Sequence, residues 1–303
     1  MITDWESILK SWSEPPGITE QTKCENSERM VKDAIKAHDR LSAMDTKTFA
    51  HGSYAVRTNV RQDSDVDICV RLNSTFYYRL PDEPPNTPDL FGIYPSDFTY
   101  AEFKKLVGEA LTGKFGTGSV TPGDKAFEVH ENTYRIDAHV APTFEYRWYT
   151  GAYNADGSPH YHSGVELLPD KGGSIINWPD QTYENGVIKN TATGGRYKDA
   201  IRILKRLRNH MEDDQITAAK DIASFLIECL VWNVPDEGFG SDLYVDNIRC
   251  VLAHTFNETL SIDKCREWGE VNELKYLFGL WQPWTLQHAH GFLSAAWDYI
   301  GYK

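Results

Sequence analysis

The sequence predicts an α+β protein of two lobes, a mixed sheet with helices over residues 1–190 and a helical lobe over 191–303. Three observations carry that expectation. Alternation of apolar and polar residues marks strands from Val66 to Leu72 and from Thr133 to Val140. Apolar side chains at Tyr197, Ile201, Leu204, Leu207 and Met211 recur at helical spacing. The chain has 303 residues, 41% hydrophobic and 25% charged, which is the balance of a globular protein with room for two lobes or one large domain.

In chain order, residues 19–43 set Cys24, Met30, Val31, Ala34, Ile35, Ala37 and Leu41 among charges, the pattern of a long amphipathic helix. The strand from Val66 follows. Prolines from Pro81 to Pro95 mark an extended loop, and a helix opens near Ser96 or Thr99 with Tyr100, Phe103, Leu106, Val107 and Leu111 facing inward. The glycine-rich stretch Gly113 to Gly123 leads to strands at Ala126 to Glu131 and Thr133 to Val140, joined by a hairpin turn at Glu131-Asn132. Residues 151–190, rich in Gly, Pro, Asn and Asp, read as loops and short strands. Beyond Arg196 the chain turns helical. DIASFLIECLVWNV forms a second helix that Pro235 stops, and residues 262–280 and 284–300 suggest two more.

Composition narrows the function. The net charge is −13, whereas a protein that grips a long polyanion carries a basic stripe and a high pI, so no long nucleic-acid partner is expected. The one strongly basic stretch, Arg196 to Arg208, is the size for a triphosphate. No apolar run reaches bilayer length, and MITDWESILKSW lacks the basic-then-apolar order of a secretory signal, so no membrane partner is expected. Cys24, Cys69, Cys229, Cys250 and Cys265 are scattered and form no C-x-x-C pair, which suits reduced thiols in a cytoplasmic protein.

The chemistry centres on HGSYAVRTNVRQDSDVDICVRL. On a strand, Asp65 and Asp67 would present both carboxylates on one side. Two such groups repel unless a cation lies between them, and hard oxygen ligands suit Mg²⁺. The turn at Gly52-Ser53 offers N–H groups and a hydroxyl to phosphate oxygens. Joining a nucleotide requires attack on an α-phosphate as pyrophosphate leaves, which a pair of metal ions assists, and such a pair needs a third carboxylate. Asp137 in TYRIDAHVAP is the candidate, alternating with Arg135 and His139 against Tyr134, Ile136, Ala138 and Val140. Asp63 reads as a turn residue. Plainer readings stand beside these: a solvated strand residue for Asp137, a surface turn for Gly52-Ser53, a solvated helix face for Arg202 and Lys205, and a hydroxyl bonded to its own helix for Ser224. His160-x-His162 has no third ligand nearby and reads as structural or surface.

The order of these motifs resembles the polymerase-β-like nucleotidyltransferases, and more narrowly the bacterial cGAS/DncV-like enzymes (CD-NTases), above all their CdnE group. The resemblance runs over most of the chain, through HGSYAVRTNVRQDSDVDICVRL, YRIDAHVAP, IINWPDQTYENGVIKN, RYKDAIRILKRLRNH and SFLIECLVWNVP. It implies a nucleotidyltransferase core followed by a helical lobe. It implies further that Asp65, Asp67 and Asp137 bind two Mg²⁺ ions, with Mn²⁺ a substitute, and that Gly52 and Ser53 contact the donor's phosphates. Lys205 and Ser224 would hold the triphosphate tail, and Phe225 would stack on the donor base.

Asn177, in Ile-Ile-Asn-Trp-Pro, would face a base, and asparagine there accompanies use of a pyrimidine. An amide donates and accepts at once and so matches uracil's imide edge, although a turn before Trp-Pro also favours asparagine. The implied function is a cyclic dinucleotide synthase that joins two NTPs, at least one of them UTP, into a product such as cyclic UMP-AMP or a cyclic di-pyrimidine, and releases pyrophosphate. A separate effector would read the product in anti-phage (CBASS) signalling. An RNA-tailing enzyme, or one that modifies a small molecule or protein, would share the metal site. The acidic balance counts against the first and the helical lobe against the second.

Overall fold

The computed structural model describes residues 4–60, 65–84 and 86–302, so Asp63 lies outside the described residues. The chain forms two compact units. A sheet unit comprises Gly17–Tyr54 and Asp65–Asp180, and a helical unit comprises Met1–Pro16, Ala55–Ser64 and Gln181–Lys303. The expected division at 190/191 is thus displaced to 180/181, and two early stretches join the helical unit. The cause is packing: Leu9 is fully buried in the helical core with Trp5 and Trp12 beside it, and Thr58 bonds to Lys205.

The sheet unit is built on β1 (Thr46–His51), β2 (Val66–Arg79), β3 (Val120–Pro122), β4 (Phe127–Val129), β5 (Ala138–Tyr153), β6 (Pro159–Leu167) and β7 (Ile175–Asn177). Their order is β1-β2-β5-β4-β3, with β6 on β5 and β7 on β6. The sheet is mixed, as expected: β2 and β5 run parallel, and the other pairs are antiparallel. The helices α2 (Ile18–Ala37) and α5 (Tyr100–Phe115) cover one face, and the short helices α3 (Asp39–Ser42) and α4 (Gly52–Ala55) flank β1. Cys24, Ser27, Val31, Ala34 and Ile35 form the buried stripe of α2 at the i, i+3, i+4 spacing that its sequence shows. A capping box between Thr99 and Glu102 starts α5 at the expected place. Val66, Ile68, Val70 and Leu72 meet these helices, which leaves Asp67, Cys69 and Arg71 on the opposite face.

Three expectations need correction. Strand β5 begins at Ala138, paired with Val129, so residues 130–137 form a loop in place of a tight hairpin. The Asn132 side chain accepts from the backbone N–H groups of Tyr134 and Arg135, while Asn26 and Ser27 of α2 donate to the carbonyls of Tyr134 and Ile136. Those backbone groups are therefore taken from the ladder. Residues 151–190 hold β6 and β7, as short strands, but also most of a helix, α6 (Pro179–Ala192), which Pro179 opens from a position where the missing N–H costs nothing. The helix expected over 262–280 shrinks to α10 (Ile262–Cys265), because the chain then turns back with Glu270 donating to the Lys275 carbonyl.

The helical unit packs α1 (Trp5–Ser13), α7 (Arg196–Asp213), α8 (Ser224–Trp232), α9 (Tyr244–Glu258) and α11 (Leu286–Ile300) with α10 and the greater part of α6. Its centre is α7, which is buried on its basic side as well as its apolar one. Lys205 is 2% exposed and pairs with Glu228, itself 5% exposed, at 2.6 Å. Breaking a buried pair from one side costs about 3–5 kcal/mol. Glu228→Ala should therefore lower the melting temperature by on the order of 10 °C in a thermal melt. An unchanged melt would mean that the pair contributes nothing to stability.

Candidate active site

Strand register brings the acids together. Asp67 of β2 lies opposite His139 of β5, and one residue earlier the Val66 N–H donates to the Asp137 carbonyl at 3.0 Å. Asp65 and Asp137 thus lie at the adjoining ends of two parallel strands, each just before its strand begins. The His139 ring stands between the first two acids, with Nε2 3.6 Å from Asp65 and Nδ1 3.7 Å from Asp67. The Asp137 carboxylate is turned to its own loop and accepts from the Glu131 N–H at 2.6 Å. Among the described residues no three His, Cys, Asp or Glu side chains stand ready in metal-ligand geometry.

The electrostatics show what the pair lacks. Burial raises the Asp65 carboxyl above its ordinary value; the His139 imidazole opposes that shift, and Asp137 and Asp67 add to it. The neighbouring Asp67 carboxylate in turn raises the His139 ring, burial opposes this, and Asp65 adds to it. Negative charge is in excess here, and the nearest imidazole is drawn to it. Oxygen donors of this kind fit Mg²⁺ better than a soft or tetrahedral metal.

The Gly52-Ser53 turn abuts this pair. Gly52 has φ +66°, and a Cβ on it would lie 2.5 Å from Oδ2 of Asp67. Glycine is required both for the backbone and for the space that the carboxylate occupies. Gly52→Ala should displace Asp67, and a misplacement of about 1 Å can cost on the order of a hundredfold in rate. Initial rates of pyrophosphate release check this; a wild-type rate would detach the turn from the chemistry.

The same face carries a polar row away from the acids. Cys69 Sγ lies 3.1 Å from Thr143 Oγ1, Arg71 donates to Ser163 Oγ at 3.2 Å, and Ser163 donates to Glu145 at 2.8 Å. Register continues the row: Glu145 pairs with Val165, and Val165 with Asn177. Paired residues share a face, so exposed Asn177 at the end of β7 stands on the face that carries Asp67. Trp178 turns to the other side. Its ring fills the space over Gly164, where a Cβ would lie 2.8 Å away, and it packs on Tyr146 and Trp148.

In the helical unit the expected ligands sit differently. The Lys205 ammonium is fully engaged by Glu228, the Thr58 carbonyl at 3.1 Å and the Thr58 hydroxyl at 3.3 Å, so it does not reach out to a phosphate in this structure. Ser224 is the first residue of α8, and its hydroxyl accepts from Arg208 at 3.3 Å. Phe225 is half-buried against the helical core, 6.3 Å from the Trp284 ring. His160 bonds through Nδ1 to the Thr150 hydroxyl at 3.0 Å, in keeping with a structural reading. Sequence reasoning gave no role to His139, Glu228 or Lys198, although the i, i+4, i+7 spacing of Lys198, Arg202 and Lys205 marks one side of α7.

A mixed sheet that ends in paired carboxylates beside a phosphate-sized turn, in a chain with a separate helical unit, defines a nucleotidyltransferase. Comparison with known proteins narrows that class. Residues 184–301 match the cGAS/DncV-like nucleotidyltransferase C-terminal helical domain. The chain is 44% identical over 301 residues to a cyclic dipyrimidine nucleotide synthase CdnE of Legionella pneumophila, across 99% of each chain. It is 40% identical to the enzyme of the same name from Cecembia lonarensis, across 97% of this chain and 98% of the other. Among solved structures, the Rhodothermus marinus CdnE c-UMP-AMP synthase with Apcpp and Upnpp superposes with a TM-score of 0.84 at 30% identity, covering 98% of this chain and 97% of that one. The chain belongs to the cGAS/DncV-like nucleotidyltransferases, within the group of CdnE synthases.

Proposed function

We propose that this enzyme is a Mg²⁺-dependent cyclic dinucleotide synthase that joins two NTPs, at least one of them UTP, and releases pyrophosphate at each bond. The observation that carries the reading is one sheet face with the Asp65–Asp67 pair at one end and Asn177 at the other. Relatives named cyclic dipyrimidine nucleotide synthase support the choice of pyrimidine.

Asp65 and Asp67, with Asp137 swung from its loop, would hold two Mg²⁺ ions, for which Mn²⁺ can substitute. Bound there, Mg²⁺ would neutralise the leaving pyrophosphate and ease loss of the attacking hydroxyl's proton. Gly52 and Ser53 hold the donor's phosphates through N–H groups and the hydroxyl. Ser224 contributes a further hydroxyl to the tail, and Phe225 offers a ring to the donor base. Lys205 acts from beneath, fixing Thr58 and Glu228. Asn177 reads the pyrimidine edge. A 3′-hydroxyl attacks the donor's α-phosphate to give a linear pppN-pN, which reorients so that a second attack closes the ring. The product is a message for a separate effector in anti-phage defence, made in the cytoplasm; among the described residues no helix is long and apolar enough to cross a membrane.

Labelled NTPs incubated with and without RNA, and with and without EDTA, test this reading. The expected result is metal-dependent pyrophosphate release and a phosphatase-resistant dinucleotide, unaffected by RNA. Labelled RNA extended at its end would overturn it in favour of tailing.

A further inference from the structure

We propose that Asp180, held between Lys47 and Arg71, is a positioning residue that sets the direction of the Asn177 amide and thereby the choice of base. The role of Asn177 as the base reader rests on the function proposed above. The tether itself stands on the geometry of the sheet unit.

Lys47 and Arg71 are paired across β1 and β2, so their side chains leave the sheet on one face. It is the face of Asp67, four residues before Arg71 on the same strand. Asp180 meets both cations. One of its carboxylate oxygens lies 3.9 Å from the Lys47 ammonium and the other 3.8 Å from the Arg71 guanidinium. The two cations differ in freedom. Lys47 is exposed and lies over the Phe49 ring, 5.1 Å from its centre. Arg71 is 7% exposed, and its guanidinium is locked by donation to Asn73 at 2.8 Å and to Ser163 at 3.2 Å. A planar guanidinium fixed in this way holds a carboxylate in a set direction, whereas a lysine offers only a charge.

Asn177 needs such a tether. It is the last residue of β7, and among the described residues no hydrogen bond holds its amide, so the chain around it must set its direction. On one side that chain is pinned by close packing. A Cβ on Gly164 would lie 2.7 Å from the Asn177 carbonyl oxygen and 2.8 Å from the Trp178 ring, so the backbone of β7 rests on β6 with no slack. Pro179 then fixes its own φ. Asp180 follows as the one charged residue of Asn-Trp-Pro-Asp, and Lys47 and Arg71 draw it to the face on which Asn177 stands. The segment is thus held at both ends, by Trp178 on one face of the sheet and by Asp180 on the other. An amide reads a base edge only when its direction is right to about 10–20°, a tolerance that an untethered strand end does not keep.

Competition between UTP and ATP at equal concentration, beside KM and kcat for each, reads the tether. Ion pairs open to solvent are modest, so Asp180→Asn should lower the preference for UTP by about twofold to fivefold. Asp180→Lys sets a third cation beside Lys47 and Arg71 and should lower it by about tenfold, chiefly through a higher KM for UTP, with kcat affected less. The double variant Lys47→Glu with Asp180→Lys restores a pair of opposite charges and should recover most of the preference. Because Asp180 and Lys47 are solvent-accessible, all three variants should melt near the wild-type temperature, which separates lost preference from lost fold. A wild-type preference in Asp180→Lys, or a double variant no better than the single one, would overturn the proposal. A wild-type preference in Asn177→Ser would overturn the reading of Asn177 itself. Preference lost in Asn177→Ser and kept in Asp180→Lys would overturn the tether alone.

Discussion

Replacing Asp65 and Asp67 together with asparagine should abolish product formation. An amide keeps the shape of each side chain and removes the charge that pulls a divalent ion into the site. The stabilisation such an ion gives a reacting phosphate is several kcal/mol, and each ~1.4 kcal/mol is a factor of ten in rate, so the expected loss is at least about a thousandfold. The fold should survive. Asp65 carries a carboxyl raised by burial and by its acidic neighbours, so the substitution relieves repulsion while weakening the contacts to the His139 ring. Thin-layer chromatography of labelled NTPs, beside a thermal melt, reads both effects. Retained synthesis in a folded double variant would remove these residues from the chemistry.

Asn177→Ser should shift base choice from pyrimidine toward purine. The amide presents a donor and an acceptor, and a hydroxyl imitates that pair only in part. Leaving polar groups of a base unpaired costs about 1–3 kcal/mol, so the preference for UTP over ATP should fall by roughly tenfold to a hundredfold. Because Asn177 is exposed at a strand end, its replacement should not disturb the sheet. Competition between UTP and ATP at equal concentration measures the shift. An unchanged ratio would reduce Asn177 to a turn residue before Trp178.

What the sequence made legible was local. The alternation in VDICVRL gives the strand and the side on which Asp67 stands, because both follow from a two-residue period. The stripe of α2 is legible from its i, i+3, i+4 spacing, and the start of α5 falls at Thr99, where the sequence opens a helix. Asp137 could be picked out as a residue, but its loop could not, since Asn132 and two side chains of α2 take the backbone groups that a strand would use. The face that Asn177 shares with the acids depends on the register of β5, β6 and β7, which no short window contains. The period of α7 was visible, but the burial of its basic side was not. That burial comes from α1 and residues 55–60 packing over it, as the bonds from Arg202 to Ser13 and Arg57 record. The same long-range packing moved the boundary between units away from residue 190.

The central claim is that this acid pair and Asn177 serve one reaction, ring closure between two nucleotides of which at least one is a pyrimidine. Mass spectrometry of the product made from an equal mixture of the four NTPs tests it most directly. The account predicts a cyclic dinucleotide that contains uridine and lacks a 5′-triphosphate. A product built from purines alone, or one that remains linear, would contradict it.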